Sequence, residues 1–166
     1  MNTVYCIVGP SGVGKTTAVE WASKALNIGV VRSYTTRPMR PGEVDGIDHI
    51  FVNCEDMPER SEMAAYTYFG GNHYWATMKQ CTENDVFYVI DEKGLFELQE
   101  KIGNKARVVT IYITGERETE TERANRDQER IVIPREKYDV VIENNGSLES
   151  FLYQFTKEVE KLKSPL

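Results

Sequence analysis

Short apolar runs alternate along this chain with longer stretches of helical periodicity. Val4-Tyr5-Cys6-Ile7-Val8 is continuously apolar, partly β-branched and stops at Gly9, which predicts a strand buried on both faces. From Lys15 onward Ala18, Ala22, Ala25 and Leu26 recur at helical spacing until the Asn27-Ile28-Gly29 break. Further strands are expected at Val30-Val31, Val86 to Ile90, Val108 to Ile113 and Val140 to Ile142. Leu95, Phe96, Leu98 and Ile102 mark a second helix. Leu148, Phe151, Leu152, Phe155, Val159 and Leu162 form an amphipathic stripe, and Asn145-Gly146-Ser147 supplies turn and capping chemistry before it. Buried strands alternating with helices predict an α/β fold with a parallel β-sheet flanked by helices.

Two stretches depart from this rhythm. Thr35 to Gly71 is loop-rich, with Pro38, Pro41, Gly42, Gly46 and Pro58, and a small hairpin or strand is expected near Ile50-Phe51-Val52. Glu116 to Lys137 is almost wholly charged and cannot bury an apolar face, so a solvated helix and a movable flap are both open.

Size and charge narrow the partners. A chain of 166 residues suits one domain with a proper core, and 40% hydrophobic with 28% charged residues is ordinary globular composition. The net charge of −6 argues against a general affinity for a nucleic acid polymer or an anionic membrane, but clustered arginines can still hold a small phosphorylated ligand. No apolar run approaches the roughly 20 residues that cross a bilayer. Met1 to Tyr5 lacks the basic flank and apolar segment of a signal peptide. Cys6, Cys54 and Cys81 are odd in number and without metal-ligand spacing, so a reducing cytoplasm is expected. The sequence leaves the oligomeric state open.

Chemistry enters at Gly9-Pro10-Ser11-Gly12-Val13-Gly14-Lys15-Thr16, which matches G-x-x-x-x-G-K-[ST] without a mismatch and lies between a strand and a helix. In such a loop glycines turn successive backbone N–H groups inward around phosphates. Lys15 places a point charge at the β/γ oxygens of ATP, and Thr16 offers a hydroxyl to Mg²⁺, with Thr17 beside it in the ATP-binding set. The following helix aims its positive end at the same place. The loop alone does not choose between a kinase, an NTPase and a switch protein.

The choice comes from Ser33-x-Thr35-Thr36-Arg37-x-x-Arg40-x-Gly42-Glu43-x-x-Gly46-x-Asp48, taken together with Gly9 to Thr16. The combination resembles the guanylate kinase family. The resemblance is close from Cys6 to Val52 and resumes at Gly71-Asn72-His73-Tyr74, at the strand ending in Asp91 with Gly94 beyond, and at Tyr138 to Asn145. It implies a P-loop kinase core (1–32, 77–114 and 138–166), a small nucleoside-monophosphate-binding insertion (33–76) and a short lid (115–137) in one domain. It further implies transfer of the ATP γ-phosphoryl group, with Mg²⁺, to GMP or dGMP as small-molecule nucleotide partners.

By position, the resemblance gives Arg37 and Arg40 to the monophosphate, helped by Tyr74, and sets Ser33 against the base. Asp91 would lie near the base or the metal-bound phosphates. Catalysis would draw on Lys15, Asp91 and lid arginines, Arg123 and Arg126 first and Arg117, Arg130 and Arg135 in reserve. The departures fall on base recognition. His49 stands where the family has a phosphate-binding tyrosine, and Ala65 where it has a guanine-reading glutamate, unless a shifted alignment brings in Glu62. Trp75 and Ala76 replace a glycine and a small hydroxyl residue, and Val89 replaces an acid. An acceptor with another or modified base therefore competes with guanine. A silent nucleotide- or protein-binding module is the alternative of another class.

Overall fold

The computed structural model describes residues 1–115 and 133–163. Its elements are β1 (Thr3–Val8), α1 (Lys15–Leu26), β2 (Gly29–Val30), β3 (Tyr34–Thr35), β4 (Ile50–Phe51), β5 (Met63–Phe69), β6 (Asn72–Thr77), α2 (Met78–Thr82), β7 (Val86–Val89), α3 (Glu92–Ile102), β8 (Arg107–Thr114), β9 (Val140–Glu143) and α4 (Leu148–Leu162).

Five strands form the first sheet in the order β2-β7-β1-β8-β9, and every pairing in it is parallel. All six residues of the central strand β1 are buried, as its unbroken apolar run requires. Odd and even positions of β1 feed different cores. Tyr5 and Ile7 join Val19, Phe87, Phe151 and Phe155 beneath α1 and α4. Val4, Cys6 and Val8 join Leu95, Leu98, Ile102 and Tyr88 on the other face. The α4 stripe is anchored by Phe151, Phe155 and Val159, and Ser147 caps its start by accepting from the Ser150 N–H. The expected parallel sheet covered by helices on both faces is present.

The loop-rich stretch holds more order than its composition suggests. Strands β3 to β6 make a second, four-stranded sheet in the order β4-β3-β6-β5, mixed in direction. β5 and β6 form a hairpin whose turn is Gly70-Gly71, both at positive φ (59° and 80°), the conformation a two-residue turn demands. The free edge of β5 is covered by α3: Glu97 accepts from the Tyr66 N–H and Lys101 donates to the Met63 carbonyl. Among the described residues no helix is long and apolar enough to cross a membrane.

Candidate active site

Strand β1 runs straight into the phosphate loop, so the loop emerges at the carboxyl edge of the sheet, where ligands of parallel sheets gather. Gly12 and Gly14 sit at φ 82° and 96°, which side-chain-bearing residues rarely adopt. Gly9 is needed for a different reason: a Cβ there would collide with the backbone carbonyl of Ile113 on β8. Gly14 immediately precedes α1, so the loop ends on the electropositive end of a 12-residue helix. Lys15 folds back on the loop, donating to the carbonyls of Gly9 and of Pro10. Thr16 and Thr17 are exposed at the start of the helix.

A residue without an assigned role in the sequence reading locks this loop. Asn144, just past β9, is 4% exposed and donates from Nδ2 to the Val13 carbonyl at 2.8 Å. Its own N–H donates to the Thr114 carbonyl at 2.7 Å. The amide orientation is fixed, because a flip would set two carbonyl oxygens against each other. Gly115 lies so close that a Cβ would come within 2.8 Å of the Asn144 carbonyl. The carboxyl ends of β1, β8 and β9 are thereby tied together around the loop.

The carboxyl end of β7 supplies the other wall. Ile90 donates its N–H to the Ile7 carbonyl, which keeps Asp91 beside the phosphate loop. Asp91 caps α3, with Oδ1 accepting from the Gly94 N–H at 2.7 Å, so the capping role is met while its residue remains exposed. A cleft of about 130 Å³ opens between this edge and the second sheet, lined by Ser33, Ala65, Thr67, Tyr74, Tyr88 and Asp91 among others.

At the far side of the cleft the predicted monophosphate residues come together. Arg37 is 8% exposed and forks onto Glu43, with Nη1 to Oε1 and Nη2 to Oε2 both at 2.8 Å. Glu43 also accepts from the Arg40 N–H at 2.7 Å. The hydrogen bonds from Arg37 and from the Arg40 backbone hold the Glu43 carboxyl down at about 2. The bonds to Glu43, with a smaller contribution from the neighbouring Tyr74 hydroxyl, push the Arg37 guanidinium further into its charged range. Arg40 itself is exposed. His49 packs edge-on against Tyr74, centroids 5.8 Å apart, and its Nδ1 meets the Ser33 hydroxyl at 2.9 Å. Partial burial lowers its pKa, so the ring is neutral at pH 7.

Ser33, Arg37, His49 and Tyr74 thus form one contiguous cluster, with Glu43 as its organiser. The motif contained Glu43, but its pairing six residues back to Arg37 depends on the Pro41-Gly42 turn, with Gly42 at φ 87°. His73 and Trp75 are engaged in aromatic packing: His73 accepts or donates at Tyr66 Oη (2.6 Å), and Trp75 stacks on Tyr34 at 5.5 Å. Arg117, Arg123, Arg126 and Arg130 lie outside the described residues. Arg135 is described, in a short turn before Tyr138, where it donates to the Thr114 hydroxyl at 3.3 Å.

Sequence comparison supplies the remaining test. The family model described as guanylate kinase matches residues 1–162. This chain belongs to the guanylate kinase family. A guanylate kinase of Novosphingobium aromaticivorans is 38% identical over 66% of this chain and 53% of its own length. The guanylate kinase of Haemophilus influenzae is 30% identical over 99% of this chain and 87% of its own length. Among solved structures, the guanylate kinase of Anaplasma phagocytophilum superposes with a TM-score of 0.68 at 24% identity, covering 99% of this chain and 87% of that one, which supports the fold. This member carries the Gly9 to Thr16 loop together with Arg37 and Arg40, and places Ala65 and Ala76 face to face on β5 and β6.

Proposed function

We propose that this chain is an ATP-dependent nucleoside monophosphate kinase that transfers the γ-phosphoryl group of ATP to GMP or dGMP. One observation carries the reading: the cleft bearing Ser33, Tyr74 and Asp91 opens at the same carboxyl edge as the phosphate loop. A donor held by Gly9 to Thr16 and an acceptor held by the Arg37 cluster would meet there. An acceptor phosphate oxygen attacks the γ-phosphorus, the bond to the β–γ bridging oxygen breaks, and ADP leaves.

The protein's contribution to such a transfer is positioning and charge. Lys15 would turn from the Gly9 and Pro10 carbonyls to the β/γ oxygens. Arg37, presented by Glu43, and the exposed Arg40 would fix the acceptor phosphate, with Tyr74 donating to it. Ser33 and Asp91 line the part of the cleft that would receive the base. Arg123 and Arg126 are assigned to charge stabilisation over the transferred group.

No group of three or more His, Cys, Asp or Glu side chains suited to a metal occurs among the described residues. The Thr16 hydroxyl and Asp91 carboxylate are instead the sparse oxygen set that suits Mg²⁺ arriving with nucleotide phosphates. Such an ion would supply charge neutralisation to the nucleotide phosphates, with Thr16 as the residue to hold it.

The test is ADP release from ATP and Mg²⁺ against a panel of ribo- and deoxyribonucleoside monophosphates. Lys15→Ala is expected to lower kcat by about a thousandfold, and Arg37→Ala to remove acceptor saturation. Turnover with GMP or dGMP, lost in both variants, supports the assignment. Turnover confined to another base, which Ala65 and Ala76 would permit, moves the enzyme to that substrate. Silence across the panel overturns the kinase reading and leaves a nucleotide-binding module.

A further inference from the structure

The acceptor cleft contains a polar group that its neighbours leave unpaired. Tyr88, on β7, is 7% exposed and sits in the apolar cluster that also holds Ala64, Ala65, Ala76 and Cys81. It lines the cleft together with Ala65. Ala65 and Ala76 are direct partners across β5 and β6, and neither has a side-chain polar atom. The Tyr88 hydroxyl makes no hydrogen bond among the described residues, yet it is not one of the polar atoms sealed from solvent. Its remaining access is therefore through the cleft. Buried hydroxyls are normally paired, because an unpaired one loses its hydration without compensation. The exceptions call for an explanation, and a ligand that completes the bond is one.

Two other polar groups of the cleft are already engaged. The Ser33 hydroxyl is bonded to His49, and one oxygen of Asp91 caps α3. Burial, with the nearby Cys81, Cys6, Asp91 and Glu97, pushes the Tyr88 phenol well above its ordinary range. It stays protonated throughout neutral pH and retains its O–H as a donor.

We propose that the Tyr88 hydroxyl hydrogen-bonds the nucleobase edge of the acceptor and is a specificity-determining residue of this enzyme. The inference rests on the reading of the cleft as the acceptor site. The phenol O–H needs an acceptor: a base that turns a carbonyl oxygen toward it satisfies that proton, whereas an amino group can only donate to the phenol oxygen and leaves the O–H unpaired. A 6-oxopurine meets that demand and a 6-aminopurine does not. The side chain carries this reading in a region where Ala65 and Ala76 offer none.

The experiment is steady-state kinetics of the parent and Tyr88→Phe with GMP, IMP and AMP as acceptors, alongside thermal unfolding. Tyr88→Phe is expected to raise the KM for GMP and IMP about tenfold, leave the KM for ATP unchanged, and shrink the preference over AMP by a similar factor. Because the hydroxyl has no partner among the described residues, the Tm should stay the same or rise. Unchanged acceptor KM and selectivity in an active parent would overturn this inference alone. Equal losses for all acceptors with a lowered Tm would make Tyr88 a packing residue and overturn it too. A parent silent with every acceptor would remove both this inference and the kinase reading.

Discussion

Arg37 and Glu43 face each other as a two-pronged ion pair, 2.8 Å on each arm, inside the cluster that would receive the acceptor phosphate. A residue assigned to grip phosphate is thus already gripped. Two outcomes compete when Glu43 is removed. Arg37 gains an unopposed charge for the phosphate, but loses the fork that fixes its plane, and the Arg40 backbone loses its acceptor. In a nearly buried guanidinium, orientation outweighs freed charge, because bidentate bonds work only when coplanar. Glu43→Ala should therefore raise the acceptor KM about tenfold with the ATP KM unchanged. A fall in acceptor KM would mean that Glu43 competes with the phosphate instead of presenting Arg37 to it.

The same pair predicts acid sensitivity. Glu43 is held at about 2 when folded, below the ordinary carboxyl value of 4.5, so the unfolded chain binds the proton first. Stability from this group is complete above about pH 4.5 and is lost as pH falls toward about 2. His49 acts in the same direction at higher pH: its folded pKa lies below the ordinary 6.5, chiefly through desolvation. The unfolded imidazole therefore takes up a proton first as pH drops below 6.5. Thermal unfolding should show Tm falling in two stages on acidification, and His49→Gln should flatten the upper one. A Tm independent of pH between 7 and 3 would contradict both assignments.

Legibility in the sequence followed the range of the interactions involved. Gly9 to Thr16 could be read residue by residue because its chemistry is contiguous, and the strand runs around it are buried on both faces. The strand β5 was missed because Met63-Ala64-Ala65-Tyr66-Thr67-Tyr68 shows no clean alternation. Its register also shifts between Met63 and Ala65, and its edge is completed by Glu97 and Lys101, more than thirty residues away. The same holds for function. Arg37 was found from its motif, but Asn144 meets Val13 across 131 positions and Tyr88 meets the cleft only through sheet packing.

Asn144 offers a direct test of that long-range tie. Asn144→Ala removes the bond to the Val13 carbonyl and leaves a buried acceptor unpaired, a loss of about 1–3 kcal/mol. The phosphate loop would lose its attachment to β9, so the ATP KM should rise while the acceptor KM changes little. Asn144→Asp keeps the shape but sets a carboxylate against a carbonyl, and should be worse than alanine for ATP. Equal kinetics in the parent and both variants would show that the loop holds its form without this amide.

The cysteines yield a prediction independent of catalysis. Cys6 and Cys81 are fully buried, and burial raises both thiols, Cys81 to about 12. Thiolate is the reactive form, so neither should be modified while the protein is folded. Cys54 is exposed in the turn after β4. Titration with an aromatic disulfide reagent should release one equivalent rapidly from the native protein and two more on unfolding. The slow pair then becomes a probe of the core under β1, since Cys6 lies on its central strand between β7 and β8. ATP binding at the adjoining loop should slow their exposure further, because a ligand that binds only the folded form lowers the open population by mass action. Slow-phase rates unaffected by saturating ATP would mean that Cys6 and Cys81 open locally, without unfolding of the strand that carries the phosphate loop.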